Sequence, residues 1–360
     1  MKDETENSTT ETIIPVSKKP FPQFSTHTIE NENGTKLVVS NVGAAVVSFF
    51  VKDKAGNFSD IVLGYENLAD YLQDEFYIGT VVGRNANRIG SERVFIDGHS
   101  YKISVKNGGY HHHGGTTGFN KKIFSAETFR QDDKSGIVFK YKSPHLEEGF
   151  PGELSLEVKY SLDKNDAWTI EYKAISSQTT LINLTQHTYF NLSGDPSKGV
   201  DEHDLKILSY YYLPVNKLQL PTGELANVSG TAFDFTKFKK IGNDIEHNNA
   251  QLKLTNGYDH SFVLEKQHTP ILKHAAVVKE PNSGRRMDVY TTEPSVHFYT
   301  GNFLENVKGK NGVIYNERAG FCLETQHFPD APNHPHFPST VLQAGEQFNS
   351  KTVFKLSVYA

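Results

Sequence analysis

Apolar residues recur at every second position over two consecutive runs. In the first, Leu154, Leu156, Val158, Tyr160 and Leu162 alternate with Ser155, Glu157, Lys159 and Ser161. In the second, Trp168, Ile170, Tyr172 and Ala174 alternate with Thr169, Glu171 and Lys173. Successive side chains of a strand point to opposite faces, so this spacing gives each run one apolar face if both are strands. The polar cluster Asp163-Lys164-Asn165-Asp166 supplies the turn between them, and the whole predicts an antiparallel hairpin. Residues 95–101 predict another, because Asp97-Gly98 can adopt the positive φ angles of a tight primed turn. Further strands are expected at 35–40, 43–51, 136–143, 205–212, 273–279, 287–291, 296–300 and 352–359, all rich in Tyr, Phe, Val, Ile and Thr. Only residues 66–73 offer a short helix. Many short strands separated by turns predict an all-β sandwich or barrel, not a βαβ fold.

Composition narrows the function. Of 360 residues, 37% are apolar and 22% charged, as in a soluble globular protein. No stretch approaches the roughly 18 consecutive apolar residues of a spanning helix, so no membrane partner is expected. A net charge of −5 without a basic stripe argues against nucleic acid. The lone Cys322 excludes an internal disulfide framework and a cysteine-rich zinc site, in keeping with a cytoplasmic location. Residues 1–22 read as a disordered, charged tail whose apolar run, Ile13 to Val16, is short for a signal peptide. Residues 23–360 read as a single domain without an internal linker or repeat. No G-x-G-x-x-G or G-x-x-x-x-G-K-[ST] follows a strand.

Five segments remain that are crowded with polar and aromatic residues: 83–90, 111–115, 183–192, 256–262 and 321–330. Each alone is ambiguous. Of the triplet His111-His112-His113, at most two can converge if the segment is a strand, and no H-E-x-x-H accompanies it. His187 lies in an apolar context, where a hydrogen-bonded core histidine is the plain reading. Glu324 follows Phe321-Cys322-Leu323, and burial there would raise its pKa, although alternation also permits a solvent-facing glutamate. Arg88 can pair with a surface acid, and Asp259 can cap a turn. Together the segments supply carboxylates, imidazoles, a guanidinium and aromatic rings. That inventory suits a sugar, whose hydroxyls need directional hydrogen bonds and whose ring stacks on aromatic faces.

From about residue 33 to residue 360 the chain resembles the aldose 1-epimerase family. The matching residues are Gly83-Arg84-x-Ala86-Asn87-Arg88-Ile89, His113-Gly114-Gly115, Asn183-Leu184-Thr185-x-His187-x-Tyr189-Phe190-Asn191-Leu192 and Asp259-His260. They continue through Tyr299-Thr300-Gly301-Asn302, Leu323-Glu324-Thr325-Gln326, Pro329-Asp330-Ala331-Pro332-Asn333 and Phe337-Pro338. The resemblance implies a large twisted antiparallel β-sandwich, a super-sandwich with few short helices and an open cleft. It implies interconversion of the α and β anomers of free aldohexoses such as galactose and glucose, with no cofactor and no metal. By position it makes Glu324 the general base and His187 the general acid. It makes Arg88, His113 and Asp259 the holders of sugar oxygens, with Asn87 beside Arg88 as a further contact. At His297 the family carries Gln that contacts sugar. Imidazole can make one such bond but is shorter and titrates, which leaves sugar preference open.

The chemistry fits those roles. Hemiacetal opening takes a proton from the C1 hydroxyl and gives one to the ring oxygen; the aldehyde rotates about C1–C2, and the roles reverse on closure. Burial should raise Glu324, and the Asp259 carboxylate should favour protonated His187. Three other readings compete. A hexose 6-phosphate epimerase needs clustered cations such as Arg84 and Arg88 in the cleft. A non-catalytic sugar binder would share the fold. A glycoside hydrolase would pair Glu324 with Asp259.

Overall fold

The computed structural model describes residues 23–105, 109–131, 133–267 and 269–359; the expected tail at 1–22 lies outside them. The alternating runs form the antiparallel strands Leu154–Asp163 and Ala167–Ser176, with Leu156 opposite Ala174 and Tyr160 opposite Ile170. Their apolar positions are buried and most of the intervening ones are not, as period two requires. They sit inside a nine-stranded antiparallel sheet ordered Ser125–Gln131, Lys134–Ser143, Leu154–Asp163, Ala167–Ser176, Gln347–Val358, Arg285–Thr291, Lys273–Glu280, Asp204–Ile207 and Lys239–Lys240.

A second, five-stranded sheet runs Ala226–Asn227, Tyr211–Tyr212, Asp259–Val263, Ser295–Tyr299 and Cys322–Gln326. A third has four strands between Thr26 and Asp60. One apolar cluster draws on all three, with Phe49, Trp168, Phe298, Leu323 and Phe354 among its members. Trp168 stacks on Phe354 of the neighbouring strand at 5.1 Å and meets Phe49 edge-on at 5.8 Å, which ties the nine-stranded sheet to the four-stranded one.

The expected all-β architecture is therefore present, with some local differences. The hairpin at 95–101 forms between Arg93–Ile96 and His99–Lys102, with φ of 49° at Asp97 and 75° at Gly98. The strand expected over 205–212 is two strands, because the chain leaves the nine-stranded sheet after Ile207 and joins the five-stranded sheet at Tyr211. Ser209 makes that crossing by donating its hydroxyl to Val263 O at 2.6 Å. The helix expected at 66–73 is a single turn, Asp70–Gln73; the chain turns extended at Asp74, whose carboxylate accepts the N–H groups of Phe76 and Ile78.

The loops at one edge are interlaced. His113 N donates to Asn87 O at 3.0 Å, Gly114 N to Asn85 O at 3.0 Å, and Ala86 N to Asn183 O at 2.7 Å. This close approach needs a residue without a side chain at 114. Gly114 has φ +84°, and a Cβ there would lie 1.8 Å from Gly83 O. Gly114→Ala should cost about 2–4 kcal/mol, measured by urea unfolding, because backbone must move on both sides of the contact. A change under about 0.5 kcal/mol would show that the two segments are not packed this way.

Candidate active site

Three neighbouring strands build one wall. In Asp259–Val263, Ser295–Tyr299 and Cys322–Gln326, the register sets Ser261 opposite His297 and His297 opposite Glu324. Opposed residues share a face, as do residues two apart, so Asp259, Ser261, His297, Tyr299, Cys322 and Glu324 project together. Phe262, Val296, Phe298 and Leu323 project the other way, into the core. Every residue of these strands is buried. Glu324 thus has no solvent face, and its side chain is 1% exposed.

The interlaced loops build the opposite wall. Arg88 pairs with His112 in a two-residue ladder, and Asn87 and His113 take positive φ values of 59° and 46°. Such values are costly for residues with a Cβ and re-aim both side chains. His187 is held by its own N–H to Thr80 O at 2.9 Å and by Gly79 N to its carbonyl at 3.0 Å. Between the walls lies a cavity of about 210 Å³ lined by Arg88, His112, His113, His187, Asp259, His297 and Glu324, with Tyr77, Tyr189, Tyr299 and Phe303 as aromatic partners. A larger groove of about 460 Å³ on the outer face of the nine-stranded sheet has no imidazole in its lining.

The structure brings six of the seven expected residues into this cavity. Asn87 stands behind its lining, where Oδ1 accepts Arg88 N at 2.9 Å. Arg84 points away from the cavity. It is spent on Ser143 Oγ and the carbonyls of Pro144 and Pro151 at 2.8–3.0 Å. His111 also turns away, against Phe150, whereas His112 lines the cavity beside His113. Sequence reasoning missed Gln219, whose Oε1 accepts from Arg88 Nη2 across 131 residues of chain, and for which there is no local signal. It also left Ser261 unassigned, although its spacing of two from Asp259 marks the same strand face.

Two kinds of polar group face the cavity. The first is committed. His297 Nε2 meets Asp259 Oδ1 at 2.6 Å, and Arg88 Nη2 lies 3.8 Å from Asp259 Oδ2. Burial alone would raise Asp259, but the His297 hydrogen bond and the nearby positive charges hold it down at about 2. The second kind is uncommitted. His187 Nε2 and Glu324 Oε1 are 3.6 Å apart, too far for a hydrogen bond. Glu324 Oε2 is buried with no hydrogen-bond partner among the described residues.

Burial pushes Glu324 well above the carboxylate range, Asp259 adds to the shift, and Arg88 opposes it. The same burial lowers His187 to about 4, and the favourable charge of Asp259 does not offset it. The expectation of a protonated His187 is therefore corrected: desolvation of the imidazolium outweighs one carboxylate. The pair's proton rests on Glu324. Cys322, kept as a thiol by burial, lies 3.5 Å from His187 Nδ1 and is placed to donate to it, which leaves the N–H on Nε2.

His113, His187 and Glu324 also offer ligand atoms within 4.8 Å of one another, a spacing at which a transition ion deserves consideration. His113 speaks against it. Burial holds the ring neutral, and its Nδ1 accepts Asn87 N–H at 3.2 Å. Nε2 must then carry the proton and presents a donor, not a lone pair.

Comparison with known proteins comes from three directions. The family model for aldose 1-epimerase matches residues 25–355. The galactose mutarotase of Bos taurus is 43% identical over 317 residues, 88% of this chain and 89% of that protein. The aldose 1-epimerase of Escherichia coli (strain K12) is 33% identical over 330 residues, 91% of this chain and 94% of that protein. The crystal structure of galactose 1-epimerase from Lactobacillus acidophilus NCFM superposes with a TM-score of 0.83 at 27% identity, covering 96% of this chain and 98% of that one.

The buried histidines generate a prediction. Folded values of about 4 for His187 and His203 and about 3 for His260 lie below the ordinary value near 6.5. The unfolded chain therefore binds these protons first. Their contribution to stability is intact above about pH 6.5 and is lost as pH falls toward 4. Thermal melts should show a steady Tm from neutral to mildly alkaline pH and a decline across that acid window. A Tm that held or rose there would mean the three imidazoles are charged in the fold.

Proposed function

This chain belongs to the aldose 1-epimerase family, and on that footing we propose that it interconverts the α and β anomers of free aldohexoses such as galactose and glucose. The observation that carries the reading is the buried pair: Glu324 with an unpartnered Oε2, 3.6 Å by its other oxygen from an imidazole N–H. An acid–base catalyst for hemiacetal opening needs one group to take the C1 hydroxyl proton and another to donate to the ring oxygen.

Glu324 is the base and His187 the acid. The C1 hydroxyl donates into Glu324 Oε2, and that bond, with the nearby Arg88 charge, favours the carboxylate. On sugar binding the pair's proton passes from Glu324 to the His187 imidazole, so the carboxylate takes the C1 hydroxyl proton as the imidazolium gives its Nε2 proton to the ring oxygen and the C1–O bond opens, with no net change in the pair's protons. Rotation about C1–C2 follows, and closure returns both protons. Asp259, Arg88, His113 and His297 hold the remaining hydroxyls, and Asn87 braces Arg88. His112 adds an imidazole to the cavity lining. A cytoplasmic location belongs to the same proposal and rests on a lone cysteine that offers no disulfide framework.

The competing chemistries find less support. Arg84 is held away from the cavity by backbone carbonyls, so a phosphate would meet Arg88 alone among the arginines lining it. Asp259, already engaged by His297 and Arg88, is poorly free to act as the second carboxylate of a glycosidase.

Polarimetry of freshly dissolved α-D-galactose and α-D-glucose tests the proposal. The protein should accelerate mutarotation of both well above buffer. Glu324→Gln and His187→Asn should each lower kcat by about 10²–10⁴-fold. Turnover like that of the unmodified protein in either variant would remove that residue from the mechanism. Because burial raises Glu324, the base, the acid limb of the kcat/KM profile should lie above the ordinary carboxylate value of about 4.3. A limb at or below about 4.3 would mean that the carboxyl is not desolvated as described.

A further inference from the structure

Arg88 is the one arginine among the described residues lining the cavity, and the groups beside it there hold its guanidinium loosely. Nη2 stands 3.8 Å from Asp259 Oδ2, beyond a hydrogen bond. Nη1 reaches Asn87 Oδ1 only at 3.5 Å, and that oxygen already accepts Arg88 N at 2.9 Å. Nε is buried with no hydrogen-bond partner among the described residues. The firm contact comes from outside the cavity lining. It is made by the half-buried Gln219, whose Oε1 accepts from Arg88 Nη2.

Two partners fix the sense of that amide. Arginine only donates, so the atom facing it is the oxygen. A backbone carbonyl only accepts, so the atom facing Leu254 O at 3.4 Å is the nitrogen. Neither assignment depends on pH, because a guanidinium stays charged. The loop behind the amide aims it. Asn216 Oδ1 accepts the N–H groups of Leu218 at 2.8 Å and Leu220 at 3.2 Å, and Gln219 N donates to Asn216 O at 2.8 Å. Gln219 itself takes a φ of 58°, a left-handed conformation that a residue with a Cβ keeps only where its surroundings impose it. Gln251 ties the loop to the helix Ala250–Thr255: Val215 N donates to its Oε1 at 2.7 Å, and its Nε2 donates to Val215 O at 3.0 Å.

The consequence lies in the 3.8 Å gap between Arg88 and Asp259. An unrestrained arginine beside a buried carboxylate closes into a direct, often bidentate pair. A closed pair satisfies itself and offers less to a ligand. Held apart, the two present a donor and an acceptor side by side, and a sugar hydroxyl, which both accepts and donates, can bridge them. We propose that Gln219 is a positioning residue that holds Arg88 off Asp259 and keeps that gap open for a sugar hydroxyl. The inference rests on the mutarotase reading. Its effect falls on grip, not on proton transfer, because Glu324 and His187 are the groups at C1 and the ring oxygen.

The test is a double-mutant cycle read in KM and kcat. Gln219→Leu, which removes the acceptor at similar volume, should raise KM for galactose about ten-fold with kcat within about two-fold, the mark of lost uniform binding. In an Arg88→Lys background the same change should alter KM by less than about two-fold, because the group it acts through is gone. A merely structural role would cost the same factor in both backgrounds. Gln219→Asn guards against a loop that fails to fold. It keeps an amide and suits a positive φ, but it is one methylene too short for Nη2 and should raise KM likewise. An unchanged KM in either variant, a fall in kcat alone, or equal losses in the two backgrounds would overturn the assignment. Titration calorimetry with galactose at anomeric equilibrium reads the same grip without turnover. Galactose binding that is weakened by Gln219→Leu, in a protein that does not accelerate mutarotation, would count against the function and not against the role of Gln219. No galactose binding by the unmodified protein would overturn both.

Discussion

A carboxyl group on a strand buried on both faces is the constraint around which the site is organised. Glu324 cannot reach solvent, because Cys322–Gln326 is covered by the core on one side and by the cavity's own walls on the other. Desolvation of an anion costs more than the nearby Arg88 returns, so the proton stays on the carboxyl. The same desolvation keeps His113 and His187 neutral. Neutral imidazoles have defined tautomers, and the fold supplies the partners that choose them: Asn87 N–H for His113 and the Cys322 thiol for His187.

From this follows a division between groups that grip and groups that react. Asp259 is hydrogen-bonded to His297 and lies 3.8 Å from the Arg88 guanidinium, so these groups are held in place before any sugar arrives. Such preorganisation spares the cost of ordering them at the moment of reaction. Glu324 and His187 leave each other unsatisfied at 3.6 Å, close enough to serve neighbouring oxygens of one substrate. The five-stranded sheet enforces the split by register alone. A single row across three strands holds Ser261, His297 and Glu324.

Much of this was legible in the chain. Period two around Leu156 and Ile170 identified the large sheet, and Asp97-Gly98 identified a primed turn. The segments holding Arg88, His113, His187, Asp259 and Glu324 stood out by composition and by family resemblance, His297 stood out only as a departure from the family's Gln, and all six line one cavity. What alternation could not tell was which face of 322–326 meets water, because the answer is neither. A strand covered on both sides loses the polar contrast that period two depends on. The neutrality of His187 was illegible for a related reason: it follows from how much surrounds the ring, while sequence shows only which charges are near. Gln219 was beyond reach because its contact with Arg88 is set by a loop 131 residues away.

The claim that everything else leans on is that Glu324 holds the proton of the buried pair at neutral pH. Infrared difference spectroscopy reads this directly, comparing the unmodified protein with Glu324→Gln in the protonated-carboxyl C=O stretching region. The account predicts a protonated-carboxyl band at neutral pH that is absent from the variant and that diminishes when galactose is added. A spectrum in which Glu324 contributes only carboxylate bands, with and without sugar, would contradict it.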